Sequence, residues 1–124
     1  MTAIFSVMLL GLFAMSSAWA ETSKSVQVEV EFLLDYVDAS GCQFYRNGSW
    51  HDAKTAQAHL RSKYQYLSAK SQINSAEDFI EKAASQSSFS GQPYQVGCTG
   101  EAITFSNQWL RTVLARFRAS RVPR

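Results

Sequence analysis

The chain has 124 residues, of which 46% are hydrophobic and 18% charged, and its formal net charge at pH 7 is +2. This length supports one compact domain, and the apolar fraction excludes a disordered protein. Twelve lysines and arginines are nearly balanced by ten aspartates and glutamates, which argues against a nucleic-acid-binding protein, since such domains are usually strongly basic.

The first twenty residues have the pattern of a secretory signal peptide. An apolar run from Ala3 to Met15 is followed by small residues and by Ala18-Trp19-Ala20, an A-x-A cleavage motif. The run is shorter than the roughly 20 apolar residues that span a bilayer, which favours a cleaved signal over a retained anchor. We therefore expect cleavage after Ala20 and an exported single domain comprising residues 21–124.

Both cysteines of the chain, Cys42 and Cys98, follow the predicted signal peptide. An even number of cysteines in an exported protein favours a disulfide. The two residues are distant in sequence and form no C-x-x-C motif, so a redox pair is the weaker interpretation. We predict a structural Cys42–Cys98 bridge, which would stabilise the fold by about 4 kcal/mol in the chain-entropy description.

Hydrophobic periodicity predicts a first helix from Ser25 to Ser40, ended by Gly41 in the left-handed conformation. The first part of this segment also alternates in polarity as a strand would. The apolar positions that form the helical stripe are Val26, Val30, Leu33, Leu34 and Val37. A short extended segment from Cys42 to Tyr45 follows this helix.

A tight turn is predicted at Arg46-Asn47-Gly48-Ser49, because Asn-Gly accepts the positive φ of short hairpins. Trp50 and His51 would begin the returning strand. Asp52 is a candidate N-cap for a second helix. The apolar stripe of that helix consists of Ala53, Ala56, Leu60, Tyr64 and Leu67.

A polar connection, residues 68–74, leads to a third helix that begins at Ser75, where Ser-x-x-Asp with Asp78 resembles a capping box. The inner face of this helix consists of Phe79, Ile80, Ala83 and Ala84. Four serines between positions 85 and 90, followed by Gly91 and Pro93, would end it.

Residues 94–98 can form a short strand, with a turn at Thr99-Gly100. A last helix is expected from Ser106 to about Arg118. It would bury Trp109, Leu110, Val113, Leu114 and Phe117. The predicted fold is therefore mainly α, with about four helices packed as a small bundle, a short β-hairpin or strand element, and one disulfide.

Three ordered blocks of the sequence carry a resemblance to a known family, the third of them in two adjoining parts. They are Phe44–Gly48 (FYRNG), Ala56–Tyr64 (AQAHLRSKY), Ser75–Ile80 (SAEDFI) and Ala84–Tyr94 (ASQSSFSGQPY). In this order they resemble the YfeK-like proteins, small exported bacterial proteins described as a domain of unknown function. The resemblance implies a periplasmic protein of Gram-negative bacteria and implies no activity. The cysteine pair is not among the residues that carry it.

Arg46, Asn47, His59, Lys63 and Ser88 are the candidate binding residues. Arg46 and the Asn47 turn could present a guanidinium and backbone N–H groups to a carboxylate or phosphate. His59 and Lys63 are spaced i, i+4, so they share one helix surface and could line a groove that accepts an acidic ligand. The structural alternatives are an ordinary hairpin turn, a histidine bonded to a carbonyl of the serine-rich segment, and a solvated lysine.

Catalytic, metal and cofactor motifs are lacking in the sequence. The serines before Gly91 follow a helix, whereas a hydrolase elbow needs G-x-S-x-G between a strand and a helix. His51 and His59 are eight residues apart with no H-E-x-x-H motif, so we predict no metal site and no cofactor. A small hydrolase with His59 as general base stays open as an alternative.

The C-terminal segment from residue 111 to residue 124 contains five arginines and no acidic residue. Arg111, Arg118, Arg121 and Arg124 could attach the protein to an anionic membrane surface. Alternatively, cations at the end of a helix are favoured by the helix dipole alone. The function most consistent with the sequence is a non-enzymatic binding or protein-interaction module, whose partner would be a periplasmic protein or an anionic ligand.

Overall fold

The computed structural model describes residues 22–122, so the predicted signal peptide, its cleavage site after Ala20, and Arg124 lie outside the described residues. Within this range the chain forms four α-helices and four short β-strands. The elements are α1 Lys24–Ala39, β1 Gln43–Arg46, β2 Ser49–His51, α2 Ala53–Ala69, α3 Ala76–Ala83, β3 Gln95–Gly97, β4 Thr104–Phe105 and α4 Ser106–Ser120.

Helix α1 forms the centre of the core. Its predicted apolar stripe is buried throughout, and Val30, Leu33, Leu34 and Val37 have no exposed surface. Gly41 follows with a φ of +66°, which confirms the predicted left-handed end of the helix. The segment is helical from its first turn, so the strand-like alternation at its start has no structural counterpart.

Helices α2 and α3 begin at the predicted caps. Asp52 Oδ1 accepts a hydrogen bond from the Thr55 N–H at 2.7 Å, and Ser75 Oγ accepts one from the Asp78 N–H at 3.0 Å. Helix α2 packs on α1, and Tyr64 contacts Phe79 of α3 edge-on with ring centroids 5.7 Å apart. The polar connection predicted for residues 68–74 is partly wrong, because α2 continues to Ala69 and Ile73 is inserted into the core.

The β structure is larger than the predicted hairpin. The hairpin itself is confirmed: β1 pairs antiparallel with β2 across Asn47 and Gly48, whose φ angles are +48° and +88°. However, β1 also pairs with β3, and β3 with β4, which gives a four-stranded antiparallel sheet in the order β2-β1-β3-β4. Helices packed on a small antiparallel sheet therefore describe the fold better than a helical bundle.

The predicted disulfide is confirmed. Cys42 and Cys98 are bonded, with their Cα atoms 4.4 Å apart. Cys42 immediately precedes β1 and Cys98 immediately follows β3, so the bridge joins the two central strands of the sheet at one end.

Helix α4 covers the core with a narrower face than expected. Leu110, Val113 and Leu114 are buried as predicted. Trp109 and Phe117 are only half-buried, at the edge of the core, where Phe117 stacks on Phe32 with centroids 4.0 Å apart. No helix between residues 22 and 122 is both long and apolar enough to cross a membrane.

Candidate functional site

All five candidate binding residues line one open cavity of about 400 Å³. Its walls also include His51, Phe89 and Tyr94. The cavity lies where β1, α2 and the segment between α3 and β3 meet. Residues from three distant parts of the sequence therefore contribute to it, namely Arg46 and Asn47, His59 and Lys63, and Ser88.

Local structure explains how each side chain reaches the cavity. Along β1, Phe44 is buried in the core, and Arg46, two residues later, lies on the same face of the strand. His59 and Lys63 are one helical turn apart on α2. Asn47 at the hairpin turn accepts a hydrogen bond from the Ser90 hydroxyl, which ties the serine-rich segment to the hairpin.

Three polar side chains form a hydrogen-bonded network on the wall of the cavity. Lys63 Nζ donates to the Gln86 carbonyl at 3.0 Å and lies 3.1 Å from the Tyr94 hydroxyl oxygen. The same hydroxyl lies 3.1 Å from His59 Nε2. Because an ammonium can only donate, the Tyr94 oxygen accepts from Lys63. The Tyr94 hydroxyl donates to His59 Nε2 in the neutral tautomer that carries its proton on Nδ1.

The pKa values agree with this network. Burial, followed by the positive charges of Arg46 and Lys63, lowers the pKa of His59 from 6.5 to about 4. Burial and then the charge of Arg46 lower the pKa of Lys63 from 10.5 to about 8. Burial raises the pKa of the Tyr94 hydroxyl, against the opposing effect of Arg46. At pH 7 the imidazole is thus neutral, Tyr94 is protonated and most Lys63 side chains are charged.

The cavity is positively charged without an internal counterion. None of the residues that line it is an aspartate or glutamate. The salt bridges among residues 22–122 use Arg61, Arg111 and Arg118, and none of them includes Arg46 or Lys63. An anion that enters the cavity would therefore meet two cationic side chains without an acidic partner.

Two details of the sequence interpretation are corrected by the structure. The residue that bonds a carbonyl of the serine-rich segment is Lys63, whereas His59 bonds Tyr94. Ser88 is exposed on the cavity rim, and the buried serine is its neighbour Ser87, whose Oγ accepts from the N–H groups of Phe89 and Ser90 at 3.2 Å each. Among the described residues, His59 makes no hydrogen bond to a serine.

Tyr94 is the site residue that the sequence analysis missed. The sequence pattern predicts only a strand position for it, and it lies just before β3 with 6% of its surface exposed. Its position at the end of the Ala84–Tyr94 block, one of the segments that carry the family resemblance, was the available signal. The partners of its hydroxyl, 31 and 35 residues away, could not be seen in the sequence.

Two of the C-terminal arginines, Arg111 and Arg118, form ion pairs with acidic residues. Arg118 Nε and Nη2 bond the two carboxylate oxygens of Glu29 at 2.7 and 3.0 Å, and Nη1 contacts Glu77. Arg111 pairs with Glu81, and Arg121 lies over the ring of Phe117 at 5.1 Å. Two of the four arginines proposed for a membrane surface therefore have acidic partners on neighbouring helices. The structure of Arg124 lies outside the described range.

Other regions of residues 22–122 are weaker candidates for a functional site. They contain no group of three or more histidines, cysteines, aspartates or glutamates that could hold a metal ion. A groove of about 570 Å³ lies beside the disulfide, but it carries charges of both signs, Glu101 and Arg116. A small apolar slot of about 30 Å³, lined in part by Phe44 and Leu60, adjoins the cationic cavity and shares some of its walls.

Comparisons with known proteins identify relatives whose function is unknown. A family model described as "Family of unknown function (DUF5329)" matches residues 24–118. The chain is 35% identical over 78 residues to the "Uncharacterized protein YfeK" of Salmonella typhimurium, and the match covers 62% of this chain and 63% of that protein. The match thus spans less than two thirds of the relative's length. No solved structure matches the chain.

Proposed function

The chain belongs to the DUF5329 family of unknown function, and we propose that it is a non-enzymatic periplasmic protein that binds a small anionic ligand between Arg46 and Lys63. The match to the YfeK protein confirms the resemblance stated from the sequence blocks. Because the family supplies no activity, the proposal is argued from the cavity itself.

The observation that supports this proposal best is the convergence of Arg46 and Lys63 on a cavity with no acidic lining residue. A volume of about 400 Å³ lies in the range of small-molecule sites. The planar fork of arginine matches a carboxylate or phosphate bidentately, and lysine adds a point charge. The charge of Arg46 disfavours the charged form of Lys63, so an anion between them would relieve this repulsion.

Export to the periplasm is supported by two separate features. The apolar run and Ala18-Trp19-Ala20 have the pattern of a signal peptide cleaved after Ala20. The disulfide between Cys42 and Cys98 suits an oxidising compartment. The functional unit in this proposal is a single domain of residues 21–124.

The surroundings of His59 favour binding over hydrolysis. A general base becomes positively charged when it takes a proton. Nearby cations and burial oppose that charge at His59, as its pKa of about 4 indicates. No carboxylate lines the cavity to orient the imidazole, as the third member of a catalytic triad would.

Calorimetry and thermal unfolding with small anions test the proposal. Inorganic phosphate and benzoate serve as probes, with sodium chloride at matched ionic strength as the reference. We expect both anions to raise the melting temperature of the wild type and to give saturable binding, because a ligand that binds only the folded state stabilises it. Arg46→Gln should abolish the saturable part.

The matched control is Lys54→Gln, since Lys54 is an exposed cation on the same helix as Lys63 and does not line the cavity. This variant should bind phosphate as the wild type does. An equal loss of binding in Lys54→Gln and Arg46→Gln would indicate nonspecific charge effects and contradict the proposal. The absence of saturable binding of either anion to the wild type would contradict it as well.

A further inference from the structure

We propose that the ligand carries a carbonyl group beside its anionic group, and that Lys63 captures this carbonyl reversibly as an imine. The ligand class would be a small oxo acid or aldehyde acid. This inference rests on the proposed function, because Arg46 would hold the anionic group while the Lys63 amine reacts.

The placement of Lys63 sets it apart from the other lysines. The chain has five lysines, and Lys63 is the one that lines the cavity. Its side chain is partly buried, whereas Lys24, Lys54, Lys70 and Lys82 are exposed. Two of the three donor positions on its Nζ are used by Gln86 and Tyr94, which leaves one without a partner among the described residues.

The charged groups around Lys63 favour the uncharged amine that the reaction requires. Arg46 on β1, His51 on β2, and His59 and Tyr94 line the same cavity, and none of them carries a negative charge at pH 7. With a pKa of about 8, about 10% of the Lys63 amine would be uncharged at pH 7. For an ordinary lysine the fraction would be about 0.03%. Desolvation and a neighbouring cation are the known means by which a lysine becomes a nucleophile.

Imine formation needs no oxidant or reductant. The lone pair of the amine nitrogen attacks the carbonyl carbon, a C–N bond forms, the carbonyl π electrons move to the oxygen, and the first proton of the nitrogen is transferred to that oxygen. The resulting carbinolamine loses its hydroxyl with one further proton as water, and the nitrogen gives up its second proton as the C=N bond forms. The net change is the release of one water molecule.

Tyr94 is placed to move these protons. Its hydroxyl lies 3.1 Å from Lys63 Nζ and 3.1 Å from His59 Nε2, so it can donate a proton to the departing hydroxyl and take one back from the Lys63 nitrogen as the C=N bond forms. The neutral His59 remains a hydrogen-bond partner of this hydroxyl and is not itself protonated.

Reductive trapping on the wild-type protein tests the inference. The purified, disulfide-bonded protein is incubated at pH 7 with glyoxylate and sodium cyanoborohydride, whose hydride converts an imine into a stable secondary amine. Peptide mapping by mass spectrometry then gives the labelling rate of each of the five lysines. We expect Lys63 to be labelled at least about tenfold faster than Lys54. The exposed lysines serve as internal references, so this measurement does not depend on the folding of any variant.

A neutral aldehyde separates amine reactivity from anion recognition. With glycolaldehyde, which has no anionic group, Lys63 should be labelled more slowly than with glyoxylate. Arg46→Gln should lower the glyoxylate-to-glycolaldehyde rate ratio by about fivefold or more, whereas Arg116→Gln, at an exposed arginine outside the cavity, should leave the ratio unchanged. Tyr94→Phe should slow the reaction of both probes.

Two results would overturn the inference. Even labelling of the five lysines, in a protein that still binds phosphate, would remove the imine and leave the proposed anion site in place. Preferential labelling of Lys63 with a rate ratio that Arg46→Gln does not change would show a reactive amine without an anion anchor. That second result, together with absent phosphate binding, would remove the proposed function too.

Discussion

The Tyr94 hydroxyl is the hydrogen-bond partner of two side chains, Lys63 and His59. Tyr94→Phe keeps the buried ring but removes an acceptor for Lys63 and a hydrogen-bond partner of His59. We expect the free energy of unfolding to fall by about 1 to 2 kcal/mol, because a partly buried ammonium and imidazole each lose a partner. Urea denaturation at pH 7 measures the change.

The control for this substitution is Tyr66→Phe. Tyr66 is 61% exposed on the same helix as Lys63, and its hydroxyl makes no hydrogen bond to a described residue. Its removal should change stability by less than about 0.5 kcal/mol. Equal effects of the two substitutions would contradict the network described for Tyr94.

His59 should make the free energy of unfolding depend on pH in an interval above the pH at which carboxylates titrate. Its pKa is lowered in the fold from 6.5 to about 4, so below pH 6.5 the unfolded chain binds a proton that the folded protein does not. The stability that the fold has with a neutral His59 is therefore complete above pH 6.5 and is lost as the pH falls toward 4. After allowance for solvent screening, we expect a loss of about 1 to 2 kcal/mol.

Urea denaturation between pH 7 and pH 5 measures this slope, and His59→Gln should flatten it. In this interval Glu29 and Glu31, whose pKa values lie below 4.5, stay ionised in the fold and contribute little. An NMR titration in which the His59 ring changes protonation near pH 6.5 in the folded protein would contradict the prediction.

At the scale of elements, Arg118 fastens the end of α4 to two other helices. It bonds Glu29 of α1 through two nitrogens and contacts Glu77 of α3. Glu29 is the more shielded partner, since 17% of its side chain is exposed against 46% of that of Arg118. Arg118→Gln should lower the free energy of unfolding by about 1 kcal/mol, as expected for a bidentate network near the surface.

Urea denaturation measures this loss, with Arg116→Gln as the matched control. Arg116 is an exposed arginine of the same helix and forms no salt bridge with a described residue. Added salt at 0.5 M should reduce the difference between wild type and Arg118→Gln. If both variants lost the same stability, the ion pairs of Arg118 with the other two helices would not stabilise the fold measurably. The hypothesis that the C-terminal arginines bind an anionic membrane surface would then gain support.

The helices could be predicted from the sequence and most of the sheet could not, for a physical reason. Helix α1 has sixteen residues, so its apolar positions repeat over several turns, and Gly41 supplies a stop signal. The short strand predicted at residues 94–98 is confirmed as β3, Gln95–Gly97, but nothing in the sequence indicates its pairing with β1. Strand β4 has only two residues, which is too short for an alternation to be recognised. β4 also continues directly into α4 at Ser106, without a turn residue between them.

At the scale of the whole molecule, the disulfide joins sequence positions that no local signal connects. Reduction of Cys42–Cys98, or the double substitution to serine, should lower the free energy of unfolding by about 2 to 4 kcal/mol, because the unfolded chain regains the freedom of a 56-residue loop. Thermal unfolding with and without reductant measures the loss. The control is protein from which the same reductant has been removed, so that the disulfide re-forms before heating. An unchanged melting temperature in the reduced protein would contradict the prediction.

The candidate site is a property of the complete fold. The candidate residues chosen from the sequence, Arg46, His59, Lys63 and Ser88, all line this cavity. Their contacts depend on how β1 and α2 pack against the segment before β3, and on Tyr94, whose partners lie on another element. Such tertiary contacts leave no periodicity in a single sequence, so the network could not be derived from it.

The depressed basicity of Lys63 has a calorimetric consequence. Near pH 8 about half of these side chains are protonated, and bound benzoate, which forms no imine, would favour the protonated form, so complex formation would take up protons from the buffer. The observed binding enthalpy would then differ between a buffer of high ionisation enthalpy, such as Tris, and one of lower ionisation enthalpy, such as HEPES. The slope of the observed binding enthalpy against the ionisation enthalpy of the buffer would give the number of protons taken up per anion bound. This number would report the change in protonation of Lys63 Nζ.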